Sequence, residues 1–385
     1  MRTLGNTSLR HGWTTGSCAT AALQASYRLL MEDEACRTTR ILLPRPVHDD
    51  KEATFAIESS GIDVKGNKRE AWACVMKDSG DDPDVTHGAL VKVSLTYDWD
   101  DTMMDGDNCR VLFHGGEGVG MVTKAGLPLA VGEAAINPVP RAMMTSFLRA
   151  QRGGEAQRMK GGRWTWHVTI HVEDGARLAQ KTWNGRLGIE GGLSILGTRG
   201  IVVPYSCSAW IHAIHRGIDV AVAQNYHHIA AATGRTSESV LRERYHFPMD
   251  AIIDMGDFVG GMVNYMRGKP IRKLTLCGGF GKLSKLAVGA RDLHVRRSRV
   301  DMDFLRQCMR EIKGERDIGS RHREASSALA LWEEAHAQGV ALGDRVAWEA
   351  ARMLSLWLKE SAMREVHVMA IDRLGSVIGE GVYGV

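Results

Sequence analysis

The sequence runs to 385 residues, 44% of them hydrophobic, with 49 lysines and arginines against 45 aspartates and glutamates for a net charge of +4. That length exceeds one comfortable core and predicts two domains, each with enough apolar material to fill an interior. The near-balance of charge, with no basic block interleaved with aromatics, excludes a nucleic-acid groove and suits a small acidic ligand. No apolar run approaches the roughly 18 residues that membrane insertion needs. No apolar signal core opens the chain, and the seven cysteines form no CxxC pair. A reduced, cytoplasmic protein without a zinc ribbon or disulfide framework is therefore expected.

In chain order, the first organised element opens at His11-Gly-Trp-Thr-Thr-Gly-Ser-Cys. There Thr14, Thr15, Gly16 and Ser17 precede an alanine-rich amphipathic run to about residue 30. Hydroxyls and free backbone N–H groups at a helix N-terminus make a candidate anion site, and a plain Ser17 cap explains the same residues. Short β-branched or alternating runs at 40–43, 53–58, 71–76, 89–97 and 110–113 predict one mixed or antiparallel sheet. Between the third and fourth lies Lys77-Asp-Ser-Gly-Asp-Asp-Pro-Asp-Val-Thr-His87, with four carboxylates, a lysine and a histidine and neither a helical nor a strand period. It reads either as a solvated acidic turn or as a site for a cation, a hydroxyl or an amide donor, with Lys77 and His87 as counter-charges.

The fifth run leads into His114-Gly-Gly-Glu-Gly-Val-Gly-Met-Val-Thr-Lys124, where four glycines permit close approach of a ligand or simply form a hairpin. As a phosphate loop it fails, because Lys124 is misplaced for a Walker motif. Two prolines after Asn137 stop any strand and launch a helix over about 141–150, and Asn137 and Arg141 are candidates for the same site. Residues 164–172 alternate as a clear strand, with His167 and His171 on one face and no metal role expected for them. The glycine-dense stretch 184–204 marks the domain boundary, drawn at 200.

Beyond it strands and helices alternate: helix 205–224, strand 226–232, helix 237–245, strand 251–255, helix 257–266, strand 271–277 and a helix from about 282. This predicts a mostly parallel sheet with helices on both faces, which binds ligands beyond its strand C-termini. Two strand ends, at Gly256-Asp257 and Gly278-Gly279-Phe280-Gly281-Lys282, carry suitable turns, which tight strand-to-helix packing explains equally. Helices at 300–313, 320–337 and 341–361 and a strand at 365–371 complete the domain. The fold class is thus an N-terminal mixed-sheet α+β domain over 1–200 and a C-terminal α/β domain over 201–385.

Five motifs in order carry a resemblance: Gly12-Trp-Thr-Thr-Gly-Ser-Cys-Ala-Thr-Ala-Ala, the acidic stretch from Lys77 to Gly88, Gly115-Gly-Glu-Gly-Val-Gly-Met-Val-Thr-Lys, Ala135-Ile-Asn-Pro-Val-Pro-Arg and Leu187-Gly-Ile-Glu-Gly-Gly-Leu-Ser-Ile-Leu-Gly-Thr-Arg-Gly-Ile-Val. Together they resemble the cobalt-precorrin-5B C1-methyltransferase family, CbiD, closely over about 10–204 and more thinly to about 305. The chain departs from the pattern at Gly279-Phe280, at Tyr205-Ser-Cys-Ser and at Ala231-Ala-Thr-Gly-Arg-Thr.

The resemblance implies transfer of a methyl group from S-adenosylmethionine to C1 of a corrinoid intermediate, cobalt-precorrin-5B or metal-free precorrin-5, in cobalamin biosynthesis. It implies that the first domain binds the tetrapyrrole, with Thr14, Thr15, Ser17, Lys77, Glu117, Lys124, Asn137 and Arg141 as substrate contacts. Asp78, Asp82 and His87 are the catalytic candidates, with Asp78, Asp81, Asp82 and Asp84 orienting Lys77 and His87 or facing the methionine ammonium or ribose of the donor. The second domain would bind the donor through Gly256, Asp257, Gly278, Gly279, Gly281 and Lys282. No resident metal, nucleic acid or membrane is expected, while a homodimer and channelling to other cobalamin-biosynthesis enzymes are allowed. Two other classes compete: a metal-dependent hydrolase built on Asp81, Asp82, Asp84 and His87, and a non-catalytic corrinoid carrier.

Overall fold

A computed structural model of the chain describes residues 9–44, 51–66, 68–100, 109–151, 163–314, 325 and 327–385. The chain divides into two compact units, Met1–Ser206 and Cys207–Val385.

In the first unit, β1 (Gly12–Trp13) leads into α1 (Thr15–Glu32). Thr14 caps that helix, its Oγ1 accepting the Ser17 N–H at 3.2 Å, and a left-handed Asp33 (φ 53°) ends it. Then come β2 (Thr38–Leu42), β3 (Glu52–Ala56), β4 (Ser59–Lys65), β5 (Lys68–Met76), β6 (Leu90–Asp100) and β7 (Cys109–Gly115). After β8 (Met121–Val122), α2 (Pro138–Ala150) and β9 (Arg163–Val172), the unit closes with α3 (Gly175–Ala179), β10 (Ile189–Glu190) and β11 (Ile201–Val202). The main sheet has the order β4-β5-β6-β9-β7, antiparallel except for the parallel pair β7–β9.

Strict alternation along β9 buries Trp164, Trp166, Val168, Ile170 and Val172 in one core with Ala22 and Leu23 of α1 and Met144 and Leu148 of α2. Each such side chain contributes roughly 1.5–3 kcal/mol by leaving water, which is what holds the two helices on this face. Three expectations need correction. The runs at 40–43 and 53–58 form a separate hairpin, β2–β3, rather than joining the main sheet. Strand β4, broken in pattern by Gly61, was not anticipated. Helix α2 begins at Pro138, because a proline ring sets the helical φ and lacks an N–H that the first turn leaves unused anyway.

The second unit runs α4 (Cys207–Ala223), β12 (His228–Ala232), α5 (Arg235–Tyr245), β13 (Ile252–Asp254), α6 (Val259–Met266), β14 (Lys273–Gly279), α7 (Phe280–Ala287) and α8 (Met302–Lys313). It ends with α9 (Ala328–Ala337), α10 (Leu342–Leu358), β15 (Glu365–Ile371) and β16 (Val377–Gly384). Of the predicted helix 320–337, residues 320–324 and 326 lie outside the described residues. The sheet order is β13-β12-β14-β15-β16, parallel except for β16, which was not anticipated. Its central strands are buried almost without alternation, as a sheet covered on both faces requires. Ile229, Leu274, Val366 and Val368 face one core, while Ala230, Cys277 and Met369 face another under α5.

Chain order steps outward from β12 to β13, then doubles back past β12 to β14. The reversal opens a crevice at the C-terminal ends of β12 and β14. On the far edge, α10 lies directly on β16: a Cβ added to Gly379 would fall 2.0 Å from the Gly343 carbonyl carbon. All seven cysteines are free: Cys18, Cys74, Cys109, Cys277 and Cys308 are buried, Cys36 is half-buried and Cys207 is exposed. Burial pushes the Cys18 and Cys277 thiols up to about 12. Among the described residues no helix is long and apolar enough to cross a membrane.

Candidate functional site

Three stretches distant in sequence meet at the start of α1: residues 10–17, the acidic loop 77–88 and the segment 195–205. The Trp13 N–H donates to the Asp78 carbonyl at 2.7 Å and the Asp81 N–H to the Arg10 carbonyl at 2.9 Å, laying the loop along β1. This approach needs glycine at two positions, since a Cβ on Gly12 would sit 2.0 Å from the Ser79 carbonyl carbon and one on Gly80 (φ 64°) 2.2 Å from the Arg10 oxygen. The loop is therefore held in place along β1, with Asp81, Val85 and His87 still exposed.

Each aspartate is already engaged within the first unit. The Arg10 guanidinium grips Asp78 with both nitrogens, and through that hydrogen bond holds its carboxyl below the ordinary value. The Asp81 Oδ2 accepts the Arg10 N–H at 2.6 Å, and the Asp82 Oδ1 accepts the N–H of Tyr205, a left-handed residue at φ 56°, at 2.8 Å. Burial pulls Asp84 upward, but the Lys77 ammonium at 2.6 Å and the Thr86 donors outweigh it and keep it ionised below its ordinary value. The carboxylates thus diverge, and among the described residues no group of three or more His, Cys, Asp or Glu side chains is placed to hold a metal. This geometry counts against the hydrolase alternative.

Several expected substrate contacts have other work. Lys77 is only 2% exposed and bonds Ser79 and Asp84, so it braces the loop instead of reaching a ligand. The hydroxyls of Thr14, Thr15 and Ser17 are buried; Thr14 and Ser17 donate to the Gly200 carbonyl at 3.3 and 2.7 Å, and Thr15 to the Leu196 carbonyl at 3.2 Å. They fix the segment 196–200 over the helix N-terminus. Arg141 points back at its own approach, bonding the carbonyls of Ile136 and Ala134 and the Glu133 carboxylate, while Asn137 bonds the Ile195 carbonyl. Lys124 lays its stem against Gly188, and the exposed Glu117 receives its place from its N–H bond to His171 Nδ1 at 3.1 Å.

Among the residues the loop exposes is His87. Its Nδ1 accepts the Ser79 N–H at 3.1 Å, which assigns the neutral ring's proton to the exposed side. Asp78 stands 3.8 Å away. Sequence reasoning missed Arg10, whose role depends on a contact spanning 68 residues, and Tyr205, joined to Asp82 across 123.

In the second unit the crevice at the ends of β12 and β14 is a cavity of ≈ 860 Å³. Gly279, Gly281 and Lys282 line it, and Gly256, Asp257 and Gly278 do not. Gly278 is buried where a Cβ would lie 2.8 Å from Thr233, and Gly256 (φ 55°) turns the chain against Trp210. Asp257 connects to the cavity only through Lys282, whose Nζ lies 3.0 Å from it and donates to the Thr233 carbonyl at 2.9 Å.

The family models decide what this arrangement belongs to: the CbiD model matches residues 2–204 and the CbiD C-terminal domain model residues 292–382. The chain belongs to the CbiD family. Among curated CbiD relatives, one from Rhodospirillum rubrum is 46% identical over 97% of this chain and 98% of its own length, and is named cobalt-precorrin-5B C(1)-methyltransferase. Relatives of the same name from Burkholderia lata and Pseudomonas aeruginosa are also 46% identical, covering 97% of this chain and 96% and 95% of theirs. A solved structure described as cobalamin biosynthesis protein (cbiD) from Archaeoglobus fulgidus is 24% identical, covers 86% of this chain and 85% of that one, and superposes with a TM-score of 0.36.

Proposed function

We propose that this chain methylates C1 of cobalt-precorrin-5B in the construction of the corrin ring. The observation that carries the proposal is the 46% identity, spanning nearly the whole length of both chains, to relatives bearing that activity in their names. S-adenosylmethionine, the methyl donor of such a reaction, supplies an electrophilic methyl on sulfur. The transfer needs no covalent intermediate with the protein, so the chain's task is to orient the acceptor and exclude water. A loop fixed at Arg10, Lys77 and Tyr205 suits that task better than a mobile one.

Within it, the exposed His87 contacts the ligand in this reading, while Asp78 and Asp82 act as positioning residues. Asp78 holds the β1 edge through Arg10, and Asp82 holds Tyr205 at its left-handed turn. Incubating the purified chain with methyl-labelled S-adenosylmethionine and cobalt-precorrin-5B tests this. The label should appear on the macrocycle, and His87→Ala should lower kcat about 100-fold, with only the small drop in thermal midpoint that leaving the Ser79 N–H without its acceptor brings. Asp82→Ala, which frees the Tyr205 segment, should raise KM more than it lowers kcat. Macrocycle bound without label transfer would instead identify a carrier.

A further inference from the structure

The cavity at the ends of β12 and β14 carries an excess of positive charge, which repels a sulfonium donor and attracts an anion. Arg235, Lys282, Lys285, Arg299 and Arg373 line it, against the single carboxylate of Asp372. That carboxylate is turned into its own loop, accepting the N–H groups of Leu374 and Ser376 at 2.8 Å each. Lys282 has Asp257 as counter-charge. Among the described residues the other four have none. Lys285 is 7% exposed, and among the described residues its Nζ bonds the Leu293 carbonyl at 2.8 Å and no carboxylate. Arg235, Arg299 and Arg373 are exposed and form no ion pair with any residue described. A buried unpaired cation is expensive to maintain, so its retention here points to an anion that comes from outside the chain.

Two further features narrow the anion. Between the cations the wall is apolar, formed by Phe280, Val300, Leu329 and Ile371, with Val295 73% exposed beside them. The helices α5 and α7 open onto the cavity at Gly234 and Gly279 without side-chain caps, so first-turn N–H groups are available to carboxylate oxygens. The lining therefore fits a large ligand with an apolar body and several acidic arms. At neutral pH S-adenosylmethionine carries two positive charges and one negative; a tetrapyrrole with acetate and propionate arms carries negative charge on every arm.

We propose that this cavity takes the carboxylate arms of the tetrapyrrole acceptor, and that the methyl donor binds elsewhere on the chain. The inference rests on the methyltransferase reading for the identity of the acid, and on the lining alone for its charge. It reassigns Gly279, Gly281 and Lys282 from the donor to the acceptor.

The test titrates the full chain separately with uroporphyrin, a stable polycarboxylate tetrapyrrole, and with S-adenosylhomocysteine. Arg299→Ala and Arg373→Ala, both exposed and safe for the fold, should each weaken uroporphyrin binding at least about threefold at low salt. Combining them with Lys285→Met should weaken it about thirtyfold or more, with S-adenosylhomocysteine affinity kept within about twofold and Arg310→Ala, on α8, changing neither. Failure of wild type to bind uroporphyrin, or cavity variants that bind it normally, would overturn the inference whatever happens to the donor analogue. Loss of S-adenosylhomocysteine with uroporphyrin intact would return the cavity to the donor and leave methyl transfer standing. Conversely, cavity-dependent uroporphyrin binding by a chain that takes no S-adenosylhomocysteine would uphold the cavity's role and remove the methyltransferase reading.

Discussion

Lys77 shows how a residue that reads as a ligand contact can serve the fold. With its ammonium 2.6 Å from Asp84 and almost no exposure, it offsets the upward pull of burial on that carboxyl. Lys77→Met should destabilise the first unit by about 3 kcal/mol, the low end for a broken buried pair because Asp84 keeps 25% of its side chain exposed. Adding Asp84→Asn should recover part of that loss, and a double-mutant cycle in urea would measure the coupling. His228 provides a second test. Burial, reinforced by Lys273, lowers its ring to about 4 while Nε2 stays bonded to Thr275 at 2.8 Å. The unfolded chain therefore binds a proton that the folded one refuses, so stability falls as pH drops from about 6.5 towards 4. In urea titrations across that window His228→Gln should show a shallower decline than wild type; parallel slopes would assign the pH response to other groups. At this scale the sequence made the acidic loop visible through its composition. It could not reveal that Asp78, Asp81 and Asp82 answer to Arg10 and Tyr205, because contacts spanning 68 to 123 residues leave no local pattern.

Elements with a strong period were readable, and those without one were not. The strand at Arg163–Val172 and the alternating helices and strands after 206 follow from side-chain spacing. The edge strands Ser59–Lys65 and Val377–Gly384 do not, since glycines interrupt both and only pairing with a neighbour makes them strands. In the second case the glycines are the reason the element works. With the Gly379 Cα region pressed on the α10 backbone at Gly343, Gly379→Ala should force β16 and α10 apart and cost about 3 kcal/mol or more. Hydrogen exchange should then show lost protection in β16 first, while β12 and β14 keep theirs. Unchanged exchange in β16 would mean that the helix gives way without cost.

For the molecule as a whole, the described cores keep to their own units. One gathers side chains from Trp13 to Ile201, another from Ile214 to Tyr383. Fragments 1–206 and 207–385 should accordingly each unfold in a single cooperative transition, followed by circular dichroism against temperature. A fragment that melts without cooperativity would show that its core is incomplete alone. The family was legible in the five ordered motifs of the first half, whereas the cationic lining of the second was not, because Arg235, Lys285, Arg299 and Arg373 come from separate elements and join only when the sheet forms. Of the seven thiols, five are buried and Cys36 is half-buried, leaving Cys207 exposed at the first residue of α4, where the chain passes from one unit to the other. A maleimide dye offered in limiting amount should attach there first, giving spectroscopists a labelled junction in the native sequence with no cysteine to remove.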